Sequence, residues 1–238
     1  MRGEAIFVGM QGKEIAPVRE IVLASRSPRR QALIQVLGIP VRVVEPPDAE
    51  EGISGLLPMQ VAMTLAARKI RWTLPLSPGS LAISADTIVV IDGEILGKPR
   101  TPAEARTFLQ QLSGRWHQVY TGVAVAWESR IRIFCEETAV RFHEIADPII
   151  ELYLQTGSSL DKAGGYGAQD LIGLLGIAEI RGDFYNVMGL PVQRIYQEGV
   201  RLLGRDWVGE AAIPEPLRDT RVEREFRSKH PSALDSAG

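Results

Sequence analysis

The chain reads I-V-L-A-S-R-S-P-R-R from Ile21 to Arg30. Ile21 to Ala24 is a short apolar run with polar flanks, the mark of a buried strand. Ser27 can cap a helix, Pro28 suits its first position because it has no N–H to leave unpaired, and Gly38 ends it. A strand that turns straight into a helix exposes the unpaired N–H groups of the helix start just beyond the strand. That end carries partial positive charge and suits a phosphate. Arg29 and Arg30 add two guanidinium groups in the first turn, where the helix dipole disfavours cations unless an anion sits there. The alternative is that both arginines pair with surface acids and Ser27 is only a cap.

Working outward, strands and helices alternate. Val41 to Val44 reads as a second strand, followed by the acidic loop E-P-P-D-A-E-E-G at 45–52. Residues 58–72 have helical spacing, with Val61, Ala62 and Leu65 on one face. Leu81 to Ile91 is a long apolar strand interrupted by Ser84, Asp86 and Thr87, and Asp92-Gly93 turns it into a hairpin with Glu94-Ile95-Leu96. Thr101-Pro102-Ala103-Glu104 has the form of a capping box, opening a helix that Gly114 closes. Residues 116–127 and 130–142 form a second predicted hairpin. A helix from Asp147 to Gly157, a Gly-rich loop at 161–167, a strand at 176–181 and a helix from Pro191 to about Leu203 follow. The class is therefore α/β with a mixed sheet. Residues 1–19 read as a flexible leader. Residues 204–238 mix charges, Pro and Ser without periodicity and read as a disordered tail, with Trp207 and Phe226 leaving the docking of short pieces open.

The 238 residues suffice for a sizeable core, and 45% hydrophobic with 24% charged residues is ordinary for a soluble globular protein. A net charge of −2 argues against general binding to nucleic acid or to a membrane surface, so any cationic site must be local. The single cysteine, Cys135, excludes an intrachain disulfide and a four-cysteine zinc site, and reads as a buried inert thiol. His117, His143 and His230 lack ligand spacing. No apolar run reaches membrane-spanning length and the N-terminus lacks a secretion signal, which predicts a cytoplasmic location.

Asp86 is the second oddity. A carboxylate in the run I-S-A-D-T-I-V-V costs several kcal/mol unless it is paired or liganded, so it is either a strand-end residue bonded to the backbone or a functional group. Glu50 and Glu51 of the acidic loop could complete an oxygen-ligand site for Mg²⁺ or Mn²⁺, or simply be solvated. Lys98 in G-K-P and Lys162 in D-K-A-G-G-Y-G sit in loops where glycine lets the backbone approach a ligand. The chain has no Walker A pattern, no G-x-G-x-x-G fingerprint and no G-x-S-x-G elbow. Separated cations, carboxylates and no histidine base suit a polyphosphate substrate with a divalent metal, because phosphoryl chemistry needs charge neutralisation and positioning more than covalent catalysis.

Seven ordered motifs carry a resemblance: S-R-S-P-R-R at 25–30, S-A-D-T-I-V at 84–89, G-E-I-L-G-K-P at 93–99, L-S-G at 112–114, H-Q-V-Y-T-G-V-A at 117–124, D-K-A-G-G-Y-G-A-Q at 161–169 and G-D-F-Y-N-V-M-G-L-P at 182–191. Together they resemble the Maf family, collinearly over residues 20–203. The resemblance implies a cytoplasmic nucleoside triphosphate pyrophosphatase that cleaves the α–β phosphate linkage with a divalent cation. It also implies a two-lobed, ITPase-like α/β fold with a central cleft, and a homodimer. Its proton acceptor falls on Asp86, its functional lysines on Lys69 and Lys98, its acidic metal or base position on Glu51 or Glu50, and its specificity positions on Arg29, Thr87 and Gln169. Ser25, Ser27, Arg29, Arg30 and Lys162 are expected to meet the substrate. The loop D-K-A-G-x-Y-G-x-Q resembles the branch acting on dTTP and UTP rather than on 7-methyl-GTP. Ala168 and Asp170 depart from the usual Ile and Gly around the glutamine, and Asp170 brings a negative charge near the expected base pocket. The rival reading is a non-catalytic nucleotide-binding protein in septation or cell-division control.

Overall fold

The structure is a computed structural model that describes residues 18–47, 53–204 and 206–208. It comprises β1 (Glu20–Ala24), α1 (Pro28–Gln35), β2 (Val41–Val44), α2 (Pro58–Ile70), β3 (Ser80–Ile91), β4 (Glu94–Leu96), α3 (Pro102–Leu112), β5 (Trp116–Trp127), β6 (Arg130–Phe142), α4 (Asp147–Gln155), α5 (Leu171–Gly176), β7 (Ile177–Arg181), α6 (Phe184–Val187) and α7 (Val192–Leu203). The seven strands make one mixed sheet in the order β2-β1-β3-β5-β6-β7, with β4 paired to β3. β2, β1 and β3 are parallel and the remaining pairs antiparallel. The chain leaves β1 on one side to form β2 and returns on the other to form β3. The carboxyl end of β1 is thus a topological switch point, where open α/β sheets place their crevices.

β3 is twelve residues long and changes neighbours along its length. Its pairing with β1 stops at Ala24↔Ser84, and its pairing with β4 begins only at Val89↔Leu96. Between them, residues 85–88 have no strand on that side. The alternation of side chains then sorts this stretch between two faces. Ile83 and Ala85 belong to one apolar core with Ile21, Leu23, Ile34 and Ile195. Val89 and Ile91, on the same face, belong to a second core with Leu109, Phe142, Ile150 and Tyr166. Thr87 falls between the two cores. On the opposite face α2 packs Val61, Leu65 and Ile70 over Ala82, Ile88, Val90 and Ala124. The expected two lobes correspond to these two cores on one continuous sheet. Each buried aliphatic side chain in them stabilises the fold by about 1.5–3 kcal/mol relative to exposure.

Local signals account for the element ends. Thr101 caps α3 by accepting the Glu104 N–H at 3.1 Å, while the Glu104 carboxylate takes the N–H of Arg100 at 2.6 Å rather than that of Thr101, so the capping box is shifted by one residue. In α7, Ile195, Glu198, Gly199, Leu202 and Leu203 share the buried stripe that helical periodicity demands. Buried Glu198 is neutralised by Arg132, Arg194 and Arg201. Short α5, short α6 and a 3₁₀ turn at 163–165 were not expected from the sequence, being too short to show a period. Trp207, whose docking the sequence left open, is buried against α7 and donates its indole N–H to Tyr196 O at 3.0 Å. The leader to residue 17 and the tail from 209 lie outside the described residues. No helix among the described residues is long and apolar enough to cross a membrane.

Two residues hold the gap together. Arg30, from α1, donates to Ala85 O at 2.9 Å, Gly189 O at 2.7 Å and Thr87 Oγ1 at 2.8 Å. It covers the carbonyl that β3 exposes once β1 has ended. Gly122 lies opposite Asp86 in the β3–β5 register, and a Cβ there would stand 2.1 Å from the Ala62 carbonyl carbon. Its missing side chain lets α2 lie against the sheet at this point. We expect Arg30→Lys to lower stability by about 1–3 kcal/mol, because a single ammonium nitrogen cannot reach acceptors placed around three separate guanidinium nitrogens. Arg29→Lys, in a partly exposed pair, should change it by less than about 1 kcal/mol. Gly122→Ala should cost about 1–3 kcal/mol through overpacking. Urea unfolding midpoints check all three, and an unchanged midpoint for Gly122→Ala would refute the close approach.

Candidate functional site

The gap along β3 opens into a crevice of about 920 Å³. Of the residues expected from the sequence, Ser25, Ser27, Arg29, Arg30, Lys69, Asp86, Thr87, Lys98, Lys162 and Gln169 all line it. Glu50 and Glu51 lie outside the described residues.

On the α2 face, Lys69 reaches from α2 to Asp86 on β3, and its ammonium donates to Asp86 Oδ1. The pair forms because α2 is held close at Gly122 and because Asp86 is an even-numbered residue on the face that α2 covers. Ser84, two residues earlier on the same face, donates to Ala66 O at 2.7 Å. Burial pulls the Lys69 pKa below the usual lysine range. The Asp86 carboxylate opposes that shift, and Arg30 and Lys98 reinforce it by repulsion. The carboxylate that looked costly in an apolar strand is therefore paired, and it stands at the wall of a cavity.

At the carboxyl end of β1, Ser25 is buried and its hydroxyl accepts the Ser27 N–H at 3.1 Å. Ser27 occupies the cap position of α1, but its side chain makes no capping hydrogen bond, contrary to the sequence expectation. The helix start thus keeps N–H groups without an intrahelical acceptor at the crevice edge. Arg29 is tied to Asp161 across the crevice at 3.1 Å. Arg30, expected as a substrate ligand, has three of its five N–H groups committed to the protein. Lys98 is exposed on the opposite wall.

The Gly-rich loop forms the far wall. Gly164 adopts φ +67 and a Cβ there would lie 3.0 Å from the Val89 side chain, so the loop presses directly on β3. Its N–H donates to Gly97 O at 3.0 Å. Lys162, expected to meet substrate, is buried, donates to Ser158 O and to Asp161 Oδ1 at 2.6 Å, and forms an ion pair with Asp170 Oδ2 at 3.2 Å. Asp170 also accepts the Tyr153 hydroxyl at 2.9 Å. The charge that Asp170 brings is spent inside the protein, on Lys162 and Tyr153. Burial works against the Asp161 carboxylate, yet Lys162 and Arg29 hold its pKa below the usual range. The resulting turn leaves Gln169 exposed at the crevice.

Two residues that the sequence set aside stand apart from the crevice. His117 is fully buried with its Nε2 against the Tyr166 hydroxyl at 2.7 Å, and burial pushes its pKa down to about 4. Cys135 is half-buried rather than buried, and burial pushes its thiol up to about 12, an inert state. Two of the ordered motifs, at 117–124 and 182–191, also supply residues at or behind the crevice to which the sequence assigned no role. Thr121 bonds the Thr87 hydroxyl at 2.9 Å, and the backbone of 187–189 closes the floor. Only the pairing of β5 with β3 brings Thr121 there.

A metal would have to use oxygen ligands. Among the described residues no group of three His, Cys, Asp or Glu could hold an ion unaided. Mg²⁺, however, is commonly held by one or two carboxylates together with substrate phosphates, so Asp86 beside a phosphate-sized cavity fits its habits.

The chain is similar to curated proteins over most of its length. It is 46% identical over 180 residues to a dTTP/UTP pyrophosphatase of Symbiobacterium thermophilum, covering 76% of this chain and 92% of that one. It is 42% identical over 184 residues to a dTTP/UTP pyrophosphatase of Phocaeicola vulgatus, covering 75% and 94%. It is 40% identical over 179 residues to one of Thermotoga maritima, covering 74% and 86%. Among solved structures, the Staphylococcus aureus Ham1 protein aligns with a TM-score of 0.37 at 17% identity, covering 54% of this chain and 72% of that one. The family model described as Maf-like protein matches residues 20–199, and with that match over the whole crevice-forming sheet the chain belongs to the Maf family.

Proposed function

We propose that the crevice hydrolyses the α–β phosphate linkage of a pyrimidine nucleoside triphosphate, dTTP or UTP, releasing the monophosphate and pyrophosphate. The observation that carries this reading is the Lys69–Asp86 pair. A partly buried carboxylate, held by an equally partly buried ammonium, opens into the same cavity as the start of α1 and Lys98. A pocket that only sensed a nucleotide would have no use for a proton acceptor there. The relatives named dTTP/UTP pyrophosphatase agree with the substrate class.

In this mechanism the free N–H groups at the start of α1, the Ser25–Ser27 turn and Lys98 neutralise and orient the triphosphate chain. Asp86 accepts a proton from the attacking water at the carboxylate oxygen not taken by Lys69. Lys69 keeps that carboxylate fixed. The leaving pyrophosphate departs toward Lys98 and the Gly-rich loop. Arg29 is free to turn from Asp161 to the substrate, since an exposed pair of this kind is worth less than about 1 kcal/mol. Asp86, with Glu50 or Glu51 and the substrate's own phosphates, would hold a Mg²⁺ or Mn²⁺ ion. Such an ion supplies charge neutralisation and lowers the pKa of a bound water.

Asp86→Asn should reduce pyrophosphate release by about 10²–10⁴-fold, the usual contribution of a general base, while affinity for a non-hydrolysable α,β-methylene UTP analogue changes little. Turnover by that variant equal to the parent would remove Asp86 from the chemistry. Release assayed across the nucleoside triphosphates, with chelator and with Mg²⁺ or Mn²⁺ restored, tests the metal. Full activity in chelator would exclude it.

A further inference from the structure

We propose that Asp170 is a positioning residue that withdraws the Lys162 ammonium from the crevice, so that the far wall holds phosphates loosely enough to let pyrophosphate go. The inference rests on the nucleotide reading above and gives a role to a side chain that does not itself line the crevice.

Asp170 follows Gln169 directly and stands at the cap position of α5. An aspartate there ordinarily accepts an N–H from the first turn of the helix. Asp170 makes no such bond. Its carboxylate turns instead toward the Gly-rich loop, where Oδ2 lies 3.2 Å from Lys162 Nζ and accepts the Tyr153 hydroxyl at 2.9 Å. Tyr153 is fully buried, and burial together with the Asp170 charge raises its pKa, so it stays a donor. Gly167 leaves the space that the ion pair needs. A Cβ there would stand 2.8 Å from Asp170 Oδ2 and 3.0 Å from Lys162 Cε. The pair is thus built into the loop rather than laid on its surface.

Lys162 borders the crevice, yet only 7% of its side chain is exposed. Its ammonium donates to Ser158 O and Asp161 Oδ1 and is paired with Asp170 as well. Asp161 in turn holds Arg29. Arg29 and Lys162 stand against Asp161 and Asp170, and the four formal charges cancel. Without Asp170 one positive charge is left over at the edge of the cavity. Asp161 cannot offset it, because Arg29 already shares that carboxylate. A wall with a surplus cation would grip the triphosphate more tightly, and its pyrophosphate product equally so. Binding both alike does not speed the chemical step, and it slows the departure of product.

The test is the affinity of inorganic pyrophosphate, and of the α,β-methylene UTP analogue, by titration calorimetry with Mg²⁺ present, which needs no turnover. Asp170→Asn keeps an oxygen for Tyr153 and removes the charge. Pyrophosphate should then bind roughly three- to tenfold more tightly, as one partly screened charge implies. The gain should shrink as salt rises from about 0.05 to 0.5 M. In turnover the KM for UTP should fall and inhibition by pyrophosphate should strengthen. A residue that only shaped the loop would give the opposite sign, since its loss would loosen binding and raise KM. Lys162→Met in the Asp170→Asn background should abolish the gain, because the freed ammonium is its source. If Asp170→Asn does not unfold cooperatively, Asp170→Ser carries the test, being neutral and a good helix cap. Affinity for pyrophosphate that is unchanged or weaker in the neutral variant, or a gain that survives Lys162→Met, would overturn the inference. If neither pyrophosphate nor the UTP analogue binds the parent chain, the proposed function itself falls; binding of both without the gain removes only this step.

Discussion

Everything in this molecule depends on four residues of one strand having no strand beside them on one side. β3 is bonded to β1 up to Ser84 and to β4 from Val89, and a sheet edge between them cannot stay bare inside a protein without losing hydrogen bonds. Arg30 answers that need from the first turn of α1. One planar guanidinium reaches the strand carbonyl, the 189 carbonyl and the Thr87 hydroxyl together, which an ammonium could not do. The cation that sits unfavourably against the helix dipole is thus compensated by the sheet, and the same contact sets the opening of the crevice.

The gap also lets one strand serve two faces of a cavity. Asp86 looks toward α2 and Thr87, its neighbour, looks toward α1 and the Gly-rich loop. The two side chains are therefore one peptide unit apart and rigidly related. Both are braced from β5: Gly122 stands opposite Asp86 and Thr121 opposite Thr87. A glycine admits the helix that carries Lys69, and a threonine orients the hydroxyl beside it. Precision of this kind is easier to hold on strands than on loops.

The walls of the crevice are linked by charge rather than by apolar packing. Tyr153, Asp170, Lys162, Asp161 and Arg29 form a continuous series from α4 across the Gly-rich loop to α1. Lys162 and Asp170 are its inner members and give the loop its shape. Arg29 and Asp161 are its outer, more exposed members, and their pairing is the one that a triphosphate can replace at small cost.

Much of this was legible in the chain itself. Strand and helix periods, Pro28 at a helix start, the Asp92-Gly93 turn and the ordered motifs determined the α/β class, nearly every long element and the set of residues at the crevice, because these signals are local in sequence. What they could not contain is how each polar side chain is spent. Arg30 and Lys162 read as substrate cations, and the fold commits most of their donors to carbonyls and carboxylates. Asp170 read as a stray charge, and Lys162 and Tyr153 absorb it. Thr121 lies in one of the ordered motifs, but no role can be read for it until β5 pairs with β3. Hydrogen-bond partners more than a hundred residues apart, such as Arg29 and Asp161 or Arg30 and Gly189, are chosen by sheet register and helix docking, and only the tertiary structure decides those.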